Sequence, residues 1–421
     1  MIRHLCFLAC RSAWNRRLTL GLTLAAIALS VTLLLGVDRL RQEAHRGFSL
    51  SVSGTDLVVG ARTSPVQLML YAVFRIGEAT SNIRWESAQH ILDHPLVAWA
   101  VPVSLGDSHR GFPVMGTVAA YFDHYRYGDS RSLAFESGNR FSDIFDVVLG
   151  AEVAARLGYR LGDRILLSHG MGETGLPDHA DKPFIVRGIL RATGTPVDRT
   201  LHIPLEGMSA IHLDWAGGAP MPGFSIPGQY VKKFDLAPKE VTAVLVGLKN
   251  RAAVFRVQRE INALPEEPLL AVMPGVALEQ LWQVVAVAER AMLAVSAMVV
   301  AVGLSGLASV LLAGLNERRR ELAILRAVGA RPRDIFLLMT GESLLVTLGG
   351  ILLGVLLLLC ASLLLAPQIQ SAYGIPVRIL LVTLEESKLL AAVLMIGLLA
   401  GLVPGYRAYR MSLNDGLMPR I

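Results

Sequence analysis

The residues of this sequence whose type and spacing come nearest to chemistry are His90 and His94, one helical turn apart in ESAQHILDHP. An i,i+4 pair turns both imidazoles the same way and can clamp a metal ion, and Asp93 lies beside them. The plainer reading is a solvated helix face. His169 and His179, in SHGMGETGLPDHADK, could draw a cation into a polar loop, against an ordinary loop. There is no G-x-S-x-G, no H-E-x-x-H and no paired-carboxylate pattern, so hydrolysis has no constellation to act through. The phosphate-cradling G-x-x-x-x-G-K-[ST] is also missing, so this chain does not itself burn a nucleotide.

Cysteines offer little more. Cys6 and Cys10 precede the first long apolar run, and Cys360 lies inside the third. The large segment between the first two runs has none, so it must fold without disulfides. Buried, small and apolar is the simpler reading of the three thiols, against reactivity or a Cys6/Cys10 metal pair.

The composition explains why catalytic patterns are sparse. The chain has 421 residues, 53% hydrophobic and only 18% charged, and its apolar residues are clustered. That points to lipid. A bilayer core of about 30 Å takes roughly 20 apolar residues in a helix, which satisfies every backbone amide internally. Four runs qualify: Leu18–Val37, Ala291–Leu315, Ser343–Ala366, with its helix starting near Ile335, and the shorter Leu389–Tyr406. The first is too long for a signal core and is followed by Asp38-Arg39-Leu40-Arg41, so a retained helix is expected.

In the third span, about two turns into the helix that starts near Ile335, Glu342 is a carboxylate where ionised groups are costly and functional by default, unless it snorkels to the interface. Gly350 and Gly354 form a small-xxx-small pair that lets helices approach closely.

Arginine placement sets the orientation. Arg3, Arg11, Arg16 and Arg17 precede the first run, six arginines lie between the second and third, and Arg407, Arg410 and Arg420 follow the fourth. All three regions are expected on the cytoplasmic side of a bacterial inner membrane, which puts both termini inside. The net charge of +6 is therefore a topology signal, and nucleic acid is not an expected partner.

The expected divisions are a cytoplasmic segment 1–17, a span 18–37, an extracytoplasmic domain with stalk 38–279, and a stalk and span 280–315. A cytoplasmic helix 316–334, a span 335–366, an outer loop 367–388, a span 389–406 and a tail 407–421 follow. The fold class is thus an α-helical membrane protein with four transmembrane helices and a large extracytoplasmic α+β domain between the first two. In that domain DLVVG, WAVPVSL, RILLSH, FIVRGIL and VTAVLVGL read as strands, and Gln67–Ala79 and Arg251–Leu264 as helices. VTAVLVGL, RAAVFRVQREINAL and EPLLAVMP give strand, helix, strand, a split βαβ unit that DLVVG to WAVPVSL repeats more loosely. Val276 to Leu315 has no proline, so the second span is expected to begin as a stalk, in a helix about 60 Å long. The alternative is a break near Glu289 and Arg290.

Between the second and third runs stands NERRRELAILRAVGARPRDI, Asn316 to Ile335. Leu322, Leu325 and Val328, with Ile324 beside them, recur at helical spacing, and Glu317 and Glu321 counter the surrounding arginines. Gly329 suits a terminator and Pro332 a first helical turn. A short amphipathic helix here serves equally as a docking knob or as a basic anchor on anionic lipid.

The same stretch resembles the signature of the FtsX/MacB/LolC-type family of ABC transporter permeases, E-R-R-x-E-[IL]-x-[IL]-L-R-A-[VIL]-G-A. It matches at Glu317, Arg318, Arg319, Glu321, Leu322, Leu325, Arg326, Ala327, Gly329 and Ala330. VVLGAEVAARLGYRLGDRILL and FIVRGILRATGTPVDRTLHIPLE are similar to that family's MacB-like periplasmic core domain. The tail keeps Pro404, Arg407, Ala408 and Arg410 of the family pattern but lacks its following proline.

The resemblance implies a membrane subunit that works by mechanotransmission. A separate cytoplasmic ABC ATPase, carrying ATP and Mg, grips a coupling surface made of Glu317, Arg318, Arg319, Glu321, Leu325 and Arg326. No cofactor is expected on this chain. Further partners implied are a second permease copy or a relative, membrane lipid, and a periplasmic adaptor or substrate-binding protein. Export or extraction of a periplasmic or outer-leaflet substrate is the leading role, and control of a cell-wall hydrolase without transport is the alternative. Replacing His90 and His94 together by Ala is expected to leave the metal content of the purified chain unchanged; loss of a stoichiometric metal, read by elemental analysis, would contradict the solvated-face reading.

Overall fold

The computed structural model describes residues 17–410 except 52, 78, 80, 170–181, 217–218, 222–225, 318 and 374–381. The chain divides into two compact units. One is residues 44–285 with 373–376, and the other residues 1–43, 286–372 and 377–421.

Helix α1 (Arg17–Leu50) continues well past Val37, where its apolar run ends. An apolar run limits how much helix suits hydrocarbon; it does not limit helical hydrogen bonding, and Asp38-Arg39-Leu40-Arg41 contains no breaker.

The large unit opens with β1 (Leu57–Ala61), α2 (Pro65–Ala72), α3 (Trp85–Leu92) and β2 (Val97–His109). Ser64 caps α2 by accepting the Gln67 amide at 3.1 Å, and Pro65 fits the first turn. The helix expected over Gln67–Ala79 stops at Ala72, because the chain turns at Arg75, whose φ of 56° no helix accommodates. An inserted region follows, with β3 (Phe112–Thr117), β4 (Phe135–Gly138), β5 (Asp146–Leu149), α4 (Ala151–Leu157), β6 (Phe184–Leu190), β7 (Leu201–Pro204) and α5 (Leu205–Ile211). The unit closes with β8 (Ala243–Leu248), α6 (Val254–Asn262) and β9 (Leu269–Val272).

Among the described residues these strands and two two-residue strands form an 11-stranded sheet in the order β9-β1-β8-β2-β3-β7-β5-β6-β4. β1 runs antiparallel to β8 and β9, and β8 antiparallel to β2. β8-α6-β9 is therefore a split βαβ unit with β1 between its strands, and β1 to β2 is a second with β8 between. The two interlock as in ferredoxin-like folds. Every residue of β1 is buried, which is why DLVVG reads as an unbroken apolar run. Leu57 and Val59 pack with Ile91, Val257 and Ile261 from α3 and α6. Val58 faces the other way, with Leu68 and Tyr71 of α2. The inserted region has its own core of Val114, Val147, Leu149, Phe184, Val186, Leu201 and Ile203.

Two buried ionic contacts brace the insertion. Lys182 Nζ lies 2.6 Å from Asp214 Oδ1, and the Ile226 amide donates to Asp214 Oδ2 at 3.0 Å. Burial pushes the Asp214 carboxyl up, but these donors outweigh it and hold it below its ordinary value. His212 Nδ1 faces the Met208 carbonyl at 2.9 Å and its Nε2 faces Asp107 Oδ1 at 3.5 Å. Both ring nitrogens meet acceptors, so the charged form is favoured. Burial opposes that charge, yet Asp107 wins and the His212 pKa is raised.

After β9 come α7 (Pro274–Glu317), α8 (Arg319–Ala327), α9 (Pro332–Tyr373) and α10 (Leu384–Arg410). α7 passes Glu289 and Arg290 without a break. α1, α7, α9 and α10 are each long and apolar enough to cross a membrane. The expected fold class of four such helices and a large α+β domain therefore holds. Within the helical unit Ile27, Val31, Leu35, Leu304, Leu307, Ile351 and Val393 form a common core. A Cβ on Gly350 would lie 2.6 Å from Ile27 Cγ2, and one on Gly354 2.7 Å from the Ala28 carbonyl oxygen, so both glycines sit tight against α1. Thr32 Oγ1 donates to the Gly354 carbonyl at 3.0 Å across the same contact. Cys360 corrects its expectation of burial, being exposed on α9; Cys6 and Cys10 lie outside the described residues. Exposure follows from its place on the helix, where the neighbouring positions Leu356, Leu357, Leu363 and Leu364 are exposed too.

His202 complements His212 in sign. It is fully buried, its Nδ1 donates to the Val148 carbonyl at 3.3 Å, and burial, with Arg75 nearby, lowers its pKa to about 3. Between pH 3 and the ordinary histidine value near 6.5 the unfolded chain takes up the proton that folded His202 refuses, so stability climbs with pH there. The His212 contribution is complete below about 6.5 and fades as pH rises through its raised folded value. The thermal midpoint of the large unit is expected to peak near pH 6.5. His202→Gln should flatten the acid limb and His212→Gln the alkaline one; a pH profile unmoved by either substitution would contradict the assignment.

Candidate functional site

The connector between α7 and α9 is a built projection. α8 is amphipathic, and its inner face is anchored: Leu322 clusters with Leu315, Ile335, Met339 and Ala408, and Ala323 beside it is buried too. Leu325 is half-buried and belongs to the same packing, beside Leu312 and Leu338. The helix then stops cleanly. The Gly329 amide donates to the Arg326 carbonyl and the Ala330 amide to the Leu325 carbonyl, each at 3.0 Å, with Gly329 at a φ of 101°. That pattern is a Schellman cap. Pro332 starts α9, and Asp334 Oδ2 accepts the Arg331 amide at 2.9 Å.

Exposed apolar side chains stand on the outer face of α8 and just past its end: Ile324 is 53% exposed and Val328 84%. Glu321 is exposed and Arg326 half-buried. Glu317 ends α7 and Arg319 begins α8, while Arg318 lies outside the described residues. The structure thus places the five described coupling candidates, Glu317, Arg319, Glu321, Leu325 and Arg326, on one short segment, but it turns Leu325 inward and presents Ile324 and Val328. Sequence spacing alone could not tell which apolar side of a short helix would be covered.

The other candidates are dispersed. Glu342 is half-buried on α9, one residue before Ser343, whose hydroxyl donates to the Gly397 carbonyl at 2.9 Å. His94 Nε2 meets Glu260 at 3.0 Å and its Nδ1 accepts the Leu96 amide at 3.3 Å, whereas His90 is exposed. The His179 loop lies outside the described residues. Among the described residues, no group of three or more His, Cys, Asp and Glu is placed to hold a metal.

Two features went unread. Gly397, Gly401 and Gly405 repeat every fourth residue on α10; added Cβ atoms on the first two would come 2.5 Å from Thr347 Oγ1 and from Ser343 Cβ of α9. Thr383 and Glu386 form a capping box at the start of α10. Glu386 Oε2 accepts the Thr383 amide at 2.8 Å, and Thr383 Oγ1 accepts the Glu386 amide at 3.2 Å. The T-x-x-E spacing was the available signal. Arg39 of α1 forms a two-pronged ion pair with the same carboxylate, its Nη2 at 3.2 Å from Oε2, and so ties α1 to the first turn of α10.

The family model for the MacB-like periplasmic core domain matches residues 20–264, and that for the FtsX-like permease C-terminal matches 293–413. The macrolide export ATP-binding/permease protein MacB of Nitrobacter winogradskyi is 24% identical over 94% of this chain and 57% of its own length. The chain therefore spans little more than half of that curated relative. The periplasmic region of MacB from Actinobacillus actinomycetemcomitans has a TM-score of 0.34 at 10% identity, covering 58% of this chain and 97% of that one. The extracellular domain of the noncanonic ABC-type transporter YknZ from Gram-positive bacteria has a TM-score of 0.30 at 11% identity, with 52% and 99% covered.

Breaking the Arg39–Glu386 pair strands a carboxylate whose side chain is 1% exposed. Arg39→Leu should cost about 3–5 kcal/mol of stability in detergent, and Arg39→Leu with Glu386→Gln, which removes the charge and keeps the cap, should recover most of it. A double variant as unstable as the single one would contradict the pairing.

Proposed function

The chain belongs to the FtsX/MacB-type family of ABC transporter permeases, and from that premise we propose that it couples ATP hydrolysis on a separate ATPase subunit to displacement of its large domain. In this reading the chain lies in the bacterial inner membrane with both termini and α8 in the cytoplasm, and its large domain is periplasmic. ATP and Mg belong to the ATPase, which docks on α8. The motion exports or extracts a periplasmic or outer-leaflet substrate. Two permease copies, or one and a relative, complete the complex in membrane lipid, and a periplasmic adaptor or substrate-binding protein is a further candidate.

One observation carries the proposal: α8 is fixed from behind by Leu322 while Ile324 and, just past the helix, Val328 stand exposed in front. A flexible loop would absorb a push, whereas a seated helix passes it to α7 and α9. Exposed aliphatics flanked by arginines suit a partner groove with an acidic rim. The aliphatics supply affinity, and the charges orient the encounter. Arg318, Arg319 and Arg326 take that rim role, and Glu317 and Glu321 complete the coupling surface as their local counter-charges. Leu325 acts from inside, by holding the helix in place.

Ile324→Asp with Val328→Asp should cut co-purification of the ATPase subunit at least about tenfold, the equivalent of 1.4 kcal/mol, without lowering the amount of chain in the membrane. Leu322→Asp should instead reduce the amount of folded chain. Undiminished co-purification with the Ile324/Val328 variant would contradict the docking role.

A further inference from the structure

The tip of the connector between α8 and α9 carries two cations that the fold itself does not use. Beyond α8 the chain passes through Val328, Gly329 and Ala330 to Arg331 and Arg333, and both arginines are exposed. They lie past the signature segment, whose match ends at Ala330. The backbone of Arg331 is fixed at both ends: its amide donates to Asp334 Oδ2 at 2.9 Å, and its carbonyl accepts the Asp334 amide at 2.9 Å. Its side chain is not held in this way. Among the described residues, neither the Arg331 nor the Arg333 guanidinium meets a carboxylate or another acceptor.

Both sit at the unfavourable end of a helix for their charge. α9 begins at Pro332, and the positive end of its dipole lies in that first turn, where an acid such as Asp334 stabilises the helix and a cation does not. α9 therefore gains no stability from them, and an anion outside this chain is what they can meet. Val328 stands 84% exposed on the same tip. A Cβ built on Gly329, between Val328 and the arginines, would find nothing within 4 Å, so the tip is open to close approach. Lipid phosphate is one acceptor for such cations. Arg333, however, precedes Ser343, where the uncharged run begins, by ten residues or about 15 Å of helix, and a headgroup layer is only about 5–8 Å deep. Nor does lipid phosphate account for the exposed aliphatic beside them.

Resting on the docking role of α8, we propose that Arg331 and Arg333 extend the basic rim beyond that helix and steer the ATPase subunit onto it. Carboxylates at the edge of the ATPase groove pair with the two arginines and bring the groove over Val328 and Ile324. Charges at the rim of an interface act mainly on the association rate and its salt dependence, whereas buried apolar anchors act on dissociation. The two halves of the site are therefore separable by kinetics.

The test uses the full chain in lipid nanodiscs and the ATPase subunit that co-purifies with it, with association and dissociation rates read by biolayer interferometry at low and high salt. Arg331→Gln with Arg333→Gln should slow association about tenfold at low salt and flatten its salt dependence, with dissociation unchanged. Arg331→Lys with Arg333→Lys, which keeps the charge, should restore most of that rate. The loss should be equal in discs of pure phosphatidylcholine and in discs containing phosphatidylglycerol. An association rate unmoved by the Gln pair would overturn the proposal. So would a loss confined to discs with the anionic lipid, which would assign both arginines to lipid phosphate. The Ile324/Val328 variant separates this failure from that of the docking role: if that variant loses the ATPase and the Gln pair does not, the arginine pair alone has failed.

Discussion

The contact on which the coupling role depends is the seating of Leu322 among Leu315, Ile335, Met339 and Ala408. Those residues come from the end of α7, the start of α9 and the end of α10, so one small apolar cluster gathers three long helices under α8. Burial of this kind contributes on the order of 25 cal/mol per Å² of apolar surface. Leu325 packs at the edge of the same cluster, while Ile324 and, just past the helix, Val328 face outward. The Schellman cap at Gly329 reinforces the arrangement by ending the helix where α9 must begin.

Hydrocarbon supplies no hydrophobic drive between helices, so the membrane unit is held by close approach and by polar ties. Gly350 and Gly354 admit α1, and the Gly397, Gly401 and Gly405 stripe admits α9 against α10. The Arg39–Glu386 pair ties α1 and α10 in the same unit. Under the proposed function, a push on α8 would therefore meet a packed bundle with few soft joints. The large unit uses other means: a sheet whose strand β1 is buried on both faces and paired charges such as Lys182–Asp214, with no cysteine anywhere between residues 38 and 279.

Much of this was legible in the residues. Apolar runs located the four long helices, and VTAVLVGL, RAAVFRVQREINAL and EPLLAVMP declared the split βαβ unit before any coordinates. The pairing of β2 with β8 was not legible, because more than a hundred residues of inserted sheet separate the two strands and local pattern carries no record of such distant partners. Nor did periodicity reveal that Leu325 faces inward and Ile324 outward, which depends on where α9 and α10 lie. The glycine stripe of α10 and the Thr383–Glu386 capping box were present as patterns. Their meaning rests on neighbours that only the fold supplies.

A cytoplasmic ATPase reaches α8 only from the inner side of the membrane, and the most direct measurement is the side on which Val328 is found. In a background with Cys6, Cys10 and Cys360 replaced, a single cysteine at position 328 should resist a membrane-impermeant maleimide added to intact spheroplasts and react once the inner face is opened. Reaction in sealed spheroplasts at the rate of a cysteine placed in the large domain would put α8 outside the cell and contradict the account.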